Sequence, residues 1–348
     1  MSRPTAFSLC AVLAGAALAG PAAANPAGPP QLLLEVDDST MAHAIKATVS
    51  EVFESAVPSV VRVESDDELG KISGTGFFAD STGTIYTLAS VVGDGLSVSV
   101  TRGDQRWPAK LLAKDPRSGI ALIKVDGAGA TPFLEKGECG EVKASSPLVV
   151  VGFPFDHDVS PSFGIAGGLD RKSQGKFFTT THIRANIPVQ RGQGGSPVLN
   201  LDGQVVGVLV SGLESGAGCF VLPIRAAEKV RQDVVRFGNV RHGWAGVTVH
   251  EMPMAVQGSH LMIDRVDPSG PASSQFRSGD VVLQVGNIAI HDPEDALDAS
   301  FFLTAGEPVA VRIARGEEVL DLQLTPAEHP LDRSNELQAL GPGSLMAP

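Results

Sequence analysis

Over residues 39–56 the apolar positions Met41, Ile45, Val49 and Val52/Phe53 recur at the spacing of one helix face, with Asp38 or Ser39 as N-cap. This predicts an amphipathic helix that Val57-Pro58 ends. Beyond it the period shortens to two. Ser59–Val63 reads as a strand, and Ser73–Asp80 with Gly83–Val92 reads as a hairpin around a Ser-Thr-Gly turn. A strand-turn-strand pattern follows over 147–168, then strands at Thr179–Ala185, Val205–Leu209 and Gly218–Ile224, and a helix from about Arg225 to Arg236. So many short strands predict a mainly β fold of two packed barrels over residues 39–236. A second unit, residues 240–326, carries apolar runs at Leu261–Val266, Val281–Val285 and Val309–Ala314, with a helix around Pro293–Ala299. Residues 327–348 read as a disordered tail.

Composition agrees with this division. The chain has 348 residues, room for about two domains, and 43% hydrophobic with 19% charged content marks a globular protein. Abundant Gly (39) and Pro (24) with few aromatics suit short strands joined by tight turns. The net charge of −12, without a Lys/Arg block, argues against a nucleic-acid partner. Residues 1–24 have the pattern of a signal peptide: Arg3, an apolar stretch from Phe7 to Leu18, and Ala22-Ala23-Ala24 as a cleavage site before Asn25. That stretch is too short to span a bilayer, and Leu9 before Cys10 argues against lipid anchoring. Export to a periplasm or beyond is the expectation, with residues 25–38 as a flexible linker. An oxidising compartment permits a Cys139–Cys219 disulfide, which sequence alone leaves open. The eight His are scattered, and no H-E-x-x-H or C-x-x-C occurs, so no metal and no cofactor are expected.

The stretch with the most chemistry is Gly192-Gln193-Gly194-Gly195-Ser196-Pro197, running into Val198-Leu199-Asn200-Leu201-Asp202-Gly203. A glycine-dense turn leaves backbone N–H groups bare, so Gly192, Gln193 and Gly194 form an oxyanion-like turn able to hold negative charge. The same glycines equally suit a tight turn needing positive φ.

This turn resembles the nucleophile turn of the trypsin-like proteases of the HtrA (Deg) family, G-N-S-G-G-P-L-x-N-x-x-G, and the resemblance extends over residues 40–326. Ser73–Val92 is similar to the family's G-S-G-F … T-N-x-H-V-V, and Asp115–Val125 to D-x-x-x-D-[IL]-A-[VL]-[IL]-K-[IV]. In those registers the catalytic His, Asp and Ser fall on Ser90, Gly119 and Gly194. A serine peptidase needs a hydroxyl, a base and an orienting carboxylate, and glycine supplies none of them. Ser196, two residues on, is the alternative nucleophile, but neither His157 nor His182 stands at the matching place for its base. The second unit is similar to a PDZ domain through Ser269-Gly270-Pro271-Ala272 and Ser278-Gly279-Asp280-Val281-Val282-Leu283. The resemblance puts its peptide-carboxylate loop at Trp244-Ala245-Gly246-Val247, where Trp244 suits core packing equally well.

The resemblance implies a trypsin-like double β-barrel followed by a PDZ domain, a small β-barrel with helices. It implies an HtrA-like pseudoprotease that binds peptides, unfolded proteins or protein C-termini in regulation or quality control. It further implies a homo-trimer or co-assembly with an active HtrA-type protease. The rival expectation is an active serine endopeptidase with a rearranged site at Ser196.

Overall fold

The computed structural model describes residues 38–67, 70–93, 97–138, 142–173, 176–213 and 216–329. The signal segment, residues 25–37 and Cys139 lie outside the described residues. Ala44–Pro348 form one compact unit; of the other, Met1–His43, only the first turns of a helix are described.

Helix α1, Asp38–Ala56, ends where Val57-Pro58 was expected to end it, and Val57–Ser59 form a single 3-10 turn. Six strands then close the first barrel: β1 (Val60–Asp67), β2 (Gly70–Phe78), β3 (Thr84–Leu88), β4 (Ser97–Arg102), β5 (Gln105–Lys114) and β6 (Ile120–Val125). Their order around the barrel is β1-β2-β3-β6-β5-β4. The predicted strand Gly83–Val92 is cut short. It stops at Leu88, and Ala89–Val92 turn into the short helix α2, which carries Ser90.

The second barrel repeats the scheme with β7 (Pro147–Gly152), β8 (Ser160–Ser173), β9 (Lys176–Ala185), β10 (Pro197–Leu199), β11 (Val205–Gly212) and β12 (Cys219–Pro223), in the order β10-β11-β12-β9-β8-β7. The two barrels share side chains at their junction. Along β7, Val149 and Val151 pack with the first barrel's core, while Leu148 and Val150 face the second. A strand buried on both faces explains why Leu148–Val151 is an unbroken apolar run rather than an alternation. Each such fully buried side chain contributes about 1.5–3 kcal/mol. Cys219 also sits in the second core, fully buried and unpaired among the described residues.

Helix α3 (Ile224–Phe237) leaves the second barrel and ends at Gly238 in the left-handed conformation. The third sheet comprises β13 (Val247–Val256), β14 (Ser259–Val266), β15 (Val281–Val285), β16 (Ile288–Ala289), β17 (Val309–Arg315) and β18 (Glu318–Leu324), ordered β13-β14-β15-β17-β18 with β16 paired to β15. Helix α4 (Pro293–Phe301) starts on Asp292, whose side chain accepts from the Asp295 N–H. Pairing continues past residue 326. The N–H of Trp244 donates to Ala327 O at 2.7 Å and Ala327 N–H returns to Trp244 O at 3.0 Å.

Candidate functional site

Thr75 on β2 holds the 192–197 turn from below. Its N–H donates to Gly194 O (2.9 Å), and its Oγ1 donates to Gly192 O (2.8 Å) while accepting from Phe153 N–H (3.1 Å). Gln193 is 1% exposed, with its Oε1 accepting from Gln190 N–H at 2.7 Å and its Nε2 on Ser162 Oγ at 3.3 Å. Gly192 (φ 93°) and Gly195 (φ 87°) lie in the left-handed region. A Cβ on Gly192 would fall 2.3 Å from Phe153 O, and one on Gly195 would fall 2.2 Å from Thr75 O. Those two glycines answer a steric demand of the turn. Gly194 is different: its φ is ordinary, and an added Cβ would meet one atom only, Leu88 Cδ1 at 3.1 Å. Among the described residues the N–H groups of Gly192 and Gly194 make no hydrogen bond.

The other two resemblance-derived positions are linked to each other through Ala89. Ser90 is exposed on α2, and the N–H of its neighbour Ala89 donates to Gly119 O at 2.8 Å. Gly119 has φ 74°, and a Cβ there would meet nothing within 4 Å. The loop before it is tied by Asp115, whose carboxylate is fully buried. It accepts from Arg117 N–H (3.1 Å), Ser118 N–H (3.2 Å), Ser118 Oγ (2.6 Å) and His242 Nε2 (2.8 Å). Burial alone would raise the Asp115 pKa; the His242 hydrogen bond and charge, with the Ser118 and Arg117 donors, hold it below the ordinary carboxylate value.

Ser196 is 0% exposed, and its Oγ packs so tightly on Gly152 that a Cβ there would lie 2.1 Å away. That Oγ has no hydrogen-bond partner among the described residues. His182, 6% exposed, turns its Nδ1 to Thr180 O (2.8 Å) and stacks on Phe178, and burial lowers its pKa. His157 is exposed, and its carbonyl accepts from Arg62. Neither imidazole contacts Ser196 among the described residues.

In the third sheet, Trp244–Val247 lead into the edge strand β13. Gly246 has φ 75°, and a Cβ would fall 2.9 Å from Gly270 Cα. Its carbonyl accepts from Asp267 N–H at 2.8 Å, whereas the N–H groups of Ala245 and Gly246 make no hydrogen bond among the described residues. Trp244, Val247 and Val249 face Ala296, Leu297 and Ser300 of α4 across an apolar cavity of about 1000 Å³. Trp244 thus lines a cavity while its ring also stacks edge-on to His329.

Sequence reasoning missed how α4 is docked. Arg171 on β8 binds Asp292 (3.1 Å) and Asp295 (2.6 Å), and Arg225 on α3 binds Asp298 (2.6 Å). Asp298 also accepts from Thr180 Oγ1 and from Thr181 N–H. Burial raises the Asp298 pKa, and these donors outweigh it to leave the carboxyl low. The signal available was the acidic run along one helix, Asp292, Glu294, Asp295 and Asp298, which otherwise reads as a solvated face. Among the described residues no cluster of His, Cys, Asp or Glu gathers as metal ligands would, and no helix is long and apolar enough to cross a membrane.

Comparison with known proteins agrees with both parts. A family model described as "Trypsin-like peptidase domain" matches residues 74–208, and one described as "PDZ domain" matches residues 235–325. The chain is 28% identical over 289 residues to a "Probable periplasmic serine endoprotease DegP-like" of Pseudomonas fluorescens, covering 79% of this chain and 60% of the relative. It is 26% identical over 281 residues to "Putative serine protease HhoB" of Synechocystis, covering 75% and 67%. The chain thus spans only 60% of the length of the first of these curated relatives. Among solved structures, "HtrA-type protease AlgW with tripeptide" superposes with TM-score 0.68 at 19% identity, over 81% of this chain and 97% of that one.

Proposed function

We propose that this chain, an HtrA/DegP-type trypsin-like domain joined to a C-terminal PDZ domain, is a pseudoprotease that binds peptides or protein C-termini without cleaving them. Its similar proteins carry the names of proteases. What separates this chain from a protease is position 194. A glycine stands there without the steric reason that Gly192 and Gly195 have, and it brings no hydroxyl to the turn. The base and carboxylate positions, Ser90 and Gly119, carry neither imidazole nor carboxylate. Ser196 is a poor substitute, because a hydroxyl at 0% exposure with no base beside it can neither lose its proton nor reach a carbonyl.

Peptide binding draws on the third sheet. An open edge strand, an apolar groove under α4 and the unbonded N–H groups of Ala245 and Gly246 are the parts a strand-adding, carboxylate-holding site requires. The proposed limits are residues 39–236 for the trypsin-like part and 240–326 for the PDZ part. Export through the 1–24 signal, a periplasmic or secreted location, a quality-control role and assembly as a trimer or with an active relative belong to the same reading. The test is casein degradation together with labelling by a serine-reactive phosphonate. The expected result is neither cleavage nor adduct. Cleavage lost in Ser196→Ala would make the protein an enzyme and end the proposal.

A further inference from the structure

Thioethers bind soft metal ions, and this chain concentrates its own in one hairpin. Three of its six methionines, Met252, Met254 and Met262, stand with two histidines on β13 and β14, as His250-Glu251-Met252-Pro253-Met254 and His260-Leu261-Met262. The ladder brings the two runs together. His250 pairs across with Met262, and directly opposite residues of antiparallel strands share a face. That face is the outer one: Ser259, Leu261 and Ile263 of β14 are buried, while His260 and Met262 between them are half-buried. Between the pairs Glu251–Leu261 and Val256–Ser259 the register shifts, so residues 252–255 of β13 bulge opposite His260 alone. His260 closes the bulge with its ring. Its backbone N–H turns away to His291 O (2.9 Å), and its Nδ1 lies 3.0 Å from Met252 O. Met254 is 79% exposed, a position where its flexible apolar chain packs no core.

We propose that this bulge is a binding site for a soft monovalent metal ion, Cu(I), held by the thioethers of Met252 and Met254 and by Nε2 of His260, with His250 and Met262 as the next donors along the hairpin. An imidazole that ligates through one nitrogen characteristically gives its other N–H to a carbonyl or carboxylate, which fixes tautomer and ring direction. Met252 O is that acceptor for Nδ1 of His260. Nε2 is then the basic nitrogen, and it makes no hydrogen bond among the described residues. Pro253, between the two thioethers, fixes its own φ and has no N–H to give a ladder, which stiffens the bulge. His291 braces the turn that follows, its Nδ1 3.1 Å from Gly258 O. The donor set selects the metal. Neutral, polarisable thioethers with an imidazole suit Cu(I), whereas Zn(II) draws on thiolate, imidazole and carboxylate, and Mg(II) on oxygen. Asp264 lies 3.8 Å from His250 Nδ1, beside the second donor pair. Val247 and Val249 line the cavity under α4, on the other face of β13 from His250, so the metal site stands whether or not the groove takes a peptide.

The test is competition for Cu(I) between the full chain and a chromophoric Cu(I) chelator, without oxygen and with ascorbate as reductant. N-ethylmaleimide first blocks accessible thiols, which also bind Cu(I); thioethers do not react with it. Wild type is compared with Met252→Leu/Met254→Leu, His260→Gln and, as a methionine control elsewhere in the chain, Met41→Leu. Leucine keeps the size and apolarity of methionine, and unchanged melting temperatures check that the fold is intact. Wild type should draw a single equivalent of Cu(I) from the chelator. The double methionine variant should bind about a hundredfold more weakly and His260→Gln at least about tenfold more weakly, with Met41→Leu unchanged. Ag(I), a redox-inert ion of the same charge and softness, should displace Cu(I), and excess Zn(II) should not. Failure of wild type to take up Cu(I), or equal affinity in the double methionine variant, would overturn the site. Unchanged affinity in His260→Gln would overturn the ligand set, and displacement by Zn(II) would overturn the choice of metal.

Discussion

Placing His at 90 and Ser at 194 restores a base and a nucleophile, and Leu88, which lies against position 194, decides whether they can work. A Cβ at 194 lies 3.1 Å from Leu88 Cδ1, closer than ordinary contact, and the new hydroxyl must still find room beyond it. Crowding of this kind in a packed site costs about 1–3 kcal/mol. At about 1.4 kcal/mol per factor of ten, that is roughly a ten- to hundredfold slower reaction. The assay is the rate of phosphonate labelling of Ser90→His/Gly194→Ser with and without Leu88→Ala. Leu88 is buried, so its truncation also costs about 2–5 kcal/mol of stability, and the rates must be compared well below both melting points. The triple variant with Leu88→Ala should label about ten- to a hundredfold faster than the double. Equal rates would refute the reasoning, since the leucine would then not be what fills the site. Adding Gly119→Asp should help little, because at φ 74° an L side chain costs about 1–2 kcal/mol.

Three further outcomes follow from the geometry. Gly246→Val should abolish peptide retention and lower stability by about 1–3 kcal/mol, read by urea unfolding, because its Cβ would collide with Gly270 Cα at a positive φ. The folded-state pKa of Asp115 lies below the ordinary carboxylate value, so its stabilising contribution is complete above that ordinary value and is lost as pH falls through the depressed one. Asp115→Asn should therefore flatten the acid limb of the melting-temperature profile below about pH 4, and an unchanged limb would remove Asp115 from its cause. Burial pushes the Cys219 thiol up to about 12, so a disulfide-exchange reagent at pH 8 should leave it unmodified until the protein is unfolded.

How much was legible in the sequence depended on whether a feature was local. The first helix, its proline stop and the hairpin at Ser73–Leu88 follow from spacing and turn residues, and each appears in place. β4, β5 and the exposed edge strand β13 went unread. β4 alternates over only Ser97–Thr101, β5 breaks its alternation at Leu111-Leu112, and β13 faces solvent along most of its length. Helical Ala89–Val92 was read as strand because Val91 and Val92 carry a β-prone pattern that the turn after Leu88 overrides. The glycines of the 192–197 turn look alike in sequence, yet only the backbone contacts separate the two that sterics require from the one that they do not. Leu88 was invisible as a site residue. It reads as an ordinary apolar strand residue, and only packing brings it against Gly194.

The loop Asp115–Gly119 joins the two halves of the argument. In the resembled pattern its last residue carries the catalytic carboxylate; here that residue is a glycine at positive φ with open space beside it. Two of the loop's other side chains make contacts beyond the barrel. Asp115 binds His242, and Arg117 binds Ser300, both outside the barrels. On the proposed reading this loop orients no imidazole, yet four hydrogen bonds to a fully buried carboxylate hold it. Buried charge is retained at a cost unless its partners repay the desolvation. The partner beyond the loop itself is His242, at the entry to the third sheet. The rigidity of the loop therefore serves the position of that sheet and its groove, which is where a protein that binds without cutting would need it.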